Sequence, residues 1–145
     1  MLLALPAERP LAIVSFATHA ASAGGHEAVV KLLLDEGANV NAQGGFYAYA
    51  LHAPSAGGYQ AVVETLLNKG ADVDGWGGDY GNALQAASAG GHEAVVELLL
   101  DKDAEVNEQG GRYGNALQAA SDGRHYTVAT LLVDAYAVLQ EIIVY

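Results

Sequence analysis

The residues best equipped for chemistry are five histidines, His19, His26, His52, His92 and His125. Histidine serves as a general base or a metal ligand, but only with partners at fixed spacing. No two of the five stand four residues apart, and none lies in a His-Glu-x-x-His or Glu-x-x-His pattern. Ser22, Ser55, Ser88 and Ser121 lack a nucleophile elbow and a neighbouring acid and base. The stretch Gly75-Trp76-Gly77-Gly78-Asp79-Tyr80-Gly81 is glycine-rich like a phosphate cradle, yet it lacks the preceding strand, the lysine and the spacing. Asp72-Val73-Asp74-Gly75 opens like a calcium loop, but Trp76 stands where an oxygen ligand is needed and no Glu closes the loop. The absence of cysteine removes disulfides, thiol nucleophiles and Cys-based metal sites. The expectation is a chain with no catalytic centre, metal or cofactor.

What these residues do share is a step of 33. The four serines keep it, as do His26, Tyr59, His92 and His125. Gly25, Gly58 and Gly91 keep it too, with Arg124 in fourth place. Gly81–Ser88 returns letter for letter at Gly114–Ser121, and Gly24–Val30 returns at Gly90–Val96. One supersecondary unit has been duplicated, and its spacing explains the histidines and serines as scaffold.

Each unit reads as two helices and a loop. Val95, Val96, Leu99 and Leu100 form an apolar stripe, with Glu93 and Glu97 opposite. A shorter helix precedes it, N-capped by Asn82 or Asn115, whose side chain accepts from an orphan N–H of the first turn. A Gly-Gly pair turns the chain between the helices. Gly37 and Gly70 end the long helices as left-handed caps. A polar, glycine-rich stretch such as 106–114 then reads as a hairpin-like finger.

Helix, turn, helix and finger at this period resemble the ankyrin repeat, over about residues 12–140. Leu84-Gln85-Ala86-Ala87 is similar to the family's Leu-His-x-Ala-Ala segment, and Gly91–Leu100 to its second helix. Gly37-Ala38-Asn39-Val40-Asn41 and Gly70-Ala71-Asp72-Val73-Asp74 match its Gly-Ala-Asp-Val-Asn ending. The family's Thr-Pro-Leu-His start is here Asn-Ala-Leu-Gln, with Asn able to cap and Gln able to hydrogen-bond in place of His. The variant is similar to the near-identical ankyrin arrays at the C-termini of filamentous-fungal NACHT-type receptor proteins. The resemblance implies an all-α solenoid that binds a protein partner without catalysis. Four units are expected, at about 15–47, 48–80, 81–113 and 114–145, after an apolar N-terminal segment 1–14.

Composition narrows the partners. The 145 residues carry 17 acids against six Lys and Arg, a net charge of −11 that repels nucleic acid and anionic lipid. No run of 18 apolar residues suggests a membrane span. The apolar N-terminal stretch lacks a basic opening, and its Ala-Ser-Ala recurs as Ala87-Ser88-Ala89 inside the chain, so a signal peptide is rejected. The cell interior, and the cytoplasm within it, is the expected compartment.

Function is sought where the repeat departs from itself. One finger register reads Phe46, Asp79, Arg112; an earlier one reads Gln43, Trp76, Gln109. Tyr47, Tyr80 and Tyr113 hold constant beside them, which suits packing of finger on finger. Tyr49 adds an aromatic where later units have Asn. Phe46, Tyr49, Trp76, Asp79 and Arg112 therefore form the candidate partner-binding set, with the composition of a hot spot. The short helices offer little recognition, only Ala23-Gly24, Ala56-Gly57, Ala89-Gly90 and Asp122-Gly123. Asp103 replaces a cap glycine, and Pro54 replaces Ala87 of the later short helix. The apolar ends, Leu11–Val14 and 138–145, do not read as polar caps. They support a second expectation, a spacer or self-associating segment of a longer array. A third, an enzyme that uses the fingers as a pocket, has no residue pattern behind it.

Overall fold

The structure, a computed structural model, describes residues 11–144. It contains α1 (Leu11–Ala23), α2 (Glu27–Asp35), α3 (His52–Gly57), α4 (Gln60–Asn68), α5 (Ala83–Gly90), α6 (Glu93–Asp101), α7 (Ala116–Asp122) and α8 (Tyr126–Val144). Among the described residues there is no named strand. The fingers are held by isolated antiparallel bridges, Gly77 with Gly81 and Gly110 with Gly114. In the first finger the Gly44 N–H donates to the Ala48 carbonyl at 2.8 Å in the same register. The fold is the all-α solenoid that the period implies.

Each helix packs against its counterpart one period on. α1, α3, α5 and α7 make an inner row; α2, α4, α6 and α8 make an outer row. The core lies between the rows. Leu51 and Leu84 from the inner helices meet Val62, Val63, Leu66, Val95, Val96, Leu99, Val128 and Leu132, all fully buried. Of the apolar stripe in α6, Leu100 alone is only partly covered.

Local chemistry sets the ends of the helices. The Asn82 side chain accepts from the Gln85 N–H at 2.9 Å, and Asn115 from Gln118 at 2.8 Å. In the second pair Tyr49 replaces that cap, and Pro54 lacks the N–H that Ala87 supplies in α5. α3 accordingly starts at His52, two positions later in register than α5, and Pro54 falls in its first turn. Asp103 does hold the left-handed cap conformation, at φ 63°.

The Gly-Gly pair proves to be a seat for rings as well as a turn. At Gly58, with φ 74°, an added Cβ would lie 2.7 Å from Cε1 of the His92 ring of the next pair. Its neighbour Gly57 gives way to Tyr59 of its own pair. The blank surface expected on the short helices is thus partly a packing requirement.

Two elements leave the repeat. α1 begins at Leu11, so the last four residues of the segment set aside as 1–14 are helical; residues 1–10 lie outside the described ones. α8 runs for 19 residues, past the register where α2, α4 and α6 stop after nine. Residues 138–144 of the expected apolar tail therefore continue a helix, and no finger follows α8 among the described residues.

Candidate functional site

The fingers stand in place because the inner helices hold their backbone. His52 Nε2 lies 2.8 Å from the Gly75 carbonyl, and Gln85 donates to the Glu108 carbonyl at 3.2 Å. These are one contact, one period apart, made by two different side chains. His19 does the same for the first finger, its Nε2 at 2.9 Å from the Ala42 carbonyl and its Nδ1 at 3.1 Å from that of Gly44. Burial pushes the His52 imidazole below its ordinary 6.5, against the opposing pull of the Gly75 carbonyl.

A second set of bonds runs from finger base to finger base. Asn41 Oδ1 accepts from the Asp72 N–H at 2.7 Å, and Asp74 Oδ1 accepts from the Glu105 N–H at 2.8 Å. The sequence matched Asn41 and Asp74 to the family's ending without giving them this role, although their recurrence at 41, 74 and 107 was the available signal.

At the tips the constant tyrosines stack. Tyr47 lies 6.1 Å from Tyr80 with ring planes 8° apart; Tyr80 lies 6.3 Å from Tyr113 at 21°. Burial, then the flanking phenols, push the Tyr80 hydroxyl above its ordinary 10.0. The Arg112 N–H donates to the Asp79 carbonyl at 3.1 Å, tying the second and third tips through their backbone. The fingers form one continuous edge.

The candidate residues occupy that edge differently. Asp79 and Arg112 pair with each other, Nη1 to Oδ2 at 3.1 Å, and the guanidinium sits 5.8 Å from the centre of the Tyr113 ring. Both remain partly exposed, so the pair aligns the tips while adding little stability. Tyr49 is half-buried: its ring lies against Gly75 and its hydroxyl accepts from Gln43 at 2.6 Å. The Trp76 indole spans to the next finger, where a Cβ on Gly110 would lie 2.6 Å from its Cζ2; 40% of the residue stays exposed. Phe46 is 67% exposed, touching Tyr47 edge-on at 5.0 Å. The structure therefore brings Asp79, Arg112 and Trp76 together over the second and third fingers, with Phe46 and Tyr49 on the first.

Such an edge can hold a partner by apolar contact and hydrogen bonding. Among the described residues no group of three or more His, Asp and Glu is placed to hold a metal. No helix of the described residues is long and apolar enough to cross a membrane.

Stacked helix pairs with projecting hairpins define a helical repeat protein of the solenoid class. Comparison with known families makes this specific: ankyrin repeats in three copies match residues 14–76, and a further ankyrin repeat matches residues 81–110. The chain belongs to the ankyrin-repeat family. Members of this family are generally protein-interaction modules and typically not enzymes. A search of curated proteins finds no match.

Proposed function

We propose that this protein binds a protein partner along its finger edge, through a surface bearing Phe46, Tyr49, Trp76, Asp79 and Arg112. The observation that carries the reading is the exposure of Phe46, 67% open on an edge whose backbone is fixed on both sides. A large apolar side chain on a rigid support loses little entropy on binding, which is what makes aromatic anchors effective. Trp76 supplies a second, flatter apolar surface. The charge of −11 favours a basic or neutral partner and speeds its approach at low salt. An intracellular location accords with the lack of cysteine.

The test is a selection of binding peptides from a display library, followed by titration against variants. Phe46→Ser and Trp76→Ala should each weaken selected binders by about tenfold or more, the scale of a hot-spot residue. Binders that tolerate both substitutions would remove the finger edge as the site. Self-association is the second reading, favoured by one observation: the stack leaves apolar residues open at its ends.

A further inference from the structure

The repeat covers the same registers at each inner joint, so each end face can be compared with the middle. Leu84 of α5 is 1% exposed beneath the next pair, whereas its counterpart Leu117 of α7 is 40% exposed. In one register Leu67 is buried, Leu100 is partly covered and Val133 is exposed; Ser55 and Ser88 are buried and Ser121 is open. With Tyr136, Leu117 and Val133 line a shallow cleft of about 150 Å³ on this face. Leu139 follows Tyr136 at helical spacing and is also exposed. At the other end Val29 is exposed where Val62, Val95 and Val128 are buried. Among the described residues, both halves of the joint thus carry exposed apolar side chains.

Those halves do not fit each other in register. Gly25, Gly58 and Gly91 each seat the ring of the following pair, within 2.7 Å of where a Cβ would stand. The fourth position is Arg124, held at φ 58° with its side chain already there. An incoming first pair would drive His26 into it. α8 also continues where a finger would have to begin.

We propose that the α7–α8 face is covered by the same face of a second copy, in a two-fold dimer. The surface continues the joint by which each inner pair packs on the next. α8 carries two acids, Asp134 and Glu141, and α7 carries Asp122, so two copies meet across this face against a like charge. Leu117, Val133, Tyr136 and Leu139 expose roughly 350 Å² of apolar side chain; with interfaces about 60% apolar this extends to roughly 600 Å² per partner. That is the small end of specific interfaces, the size class of weak and transient associations. An isologous contact of this kind closes on itself and stops at two. It is separate from the finger edge.

Light scattering on the full chain from about 1 μM to 1 mM, a range bracketing micromolar affinity, tests this. Mass should rise from 14.9 kDa to twice that value and no further. Val133→Glu and Tyr136→Glu should each weaken the dimer at least about tenfold, with Val29→Glu and Phe46→Ser leaving it unchanged. Raising the salt should tighten it by screening the repulsion of like copies. Circular dichroism separates loss of the dimer from loss of the fold, and the two glutamate variants stand in for each other if one unfolds. A monomer at every concentration overturns the proposal. So does a mass that climbs past two copies and falls with Val29→Glu, since that is the mark of head-to-tail stacking.

Discussion

His52 and Gln85 show what one register demands of a side chain. The finger offers a carbonyl oxygen, so a donor of the right reach is required, and imidazole and carboxamide both supply it. His52→Gln should therefore stay within about 1 kcal/mol of the parent above neutral pH, while His52→Ala should lose about 2–3 kcal/mol by leaving a void and an unpaired carbonyl. Chemical denaturation of both variants checks the difference. The same residue makes stability depend on pH. Burial lowers the folded-state pKa of His52 below the ordinary 6.5, so the unfolded chain binds this proton first. Its contribution is complete above that value and is lost as pH falls through it toward the folded pKa. Thermal melts between about pH 7.5 and 5.5, a window spanning ordinary histidine titration, should show a fall in Tm that is smaller in His52→Gln. An equal fall in both would place the dependence elsewhere.

At the scale of elements, each joint is a helix turn pressed against the neighbouring ring. Backbone conformation alone does not measure that pressure. Gly45 and Gly58 have nearly the same φ, 72° and 74°, but a Cβ on Gly45 meets nothing within 4 Å. Gly45→Ala should cost about 1 kcal/mol, the strain of a left-handed residue. Gly58→Ala should cost more than about 3 kcal/mol, because the His92 ring must also move and lose its 2.8 Å contact with the Ala56 carbonyl. Equilibrium unfolding of the two variants side by side isolates the packing part. The 33-residue spacing announced that His92 follows Gly58 by one period and one residue, but not that they touch. Similarly, a cap lost at Tyr49 and an N–H lost at Pro54 could be read from the letters, and the late start of α3 is their joint result.

For the whole molecule, neighbour-only contacts make stability a sum along the stack. Helices in the middle are covered on two sides. Leu66, Leu84 and Leu99 are fully buried there, while Val29 and Leu117 lie open at the ends. Amide hydrogen exchange, at concentrations below those at which copies associate, should be slowest in α4, α5 and α6 and faster in α2 and α7. Protection spread evenly along the chain would mean that the stack opens only as a unit. Repeating the measurement at high concentration should slow α7 and α8 alone, which connects the local stability of the last pair to its proposed partner.

Much of this protein was legible as letters because its decisive interactions are short in sequence. Asn caps act three residues away, cap glycines act within one turn, and the apolar stripe of α6 is a matter of helical pitch. Repetition then multiplied each signal at a fixed step, and the family matches rest on that same pattern. What tertiary structure decided is which residues meet across one period. Asp79 and Arg112 share a register, which left each free to face a partner; stacking of the fingers turns them toward each other. Trp76 reads as an exposed anchor, and its indole is partly spent against Gly110. Phe46 keeps its face open, touching only Tyr47 edge-on among the rings around it. Side-chain direction at a stacked edge is set by the neighbour's surface, and that surface exists only once the units have come together.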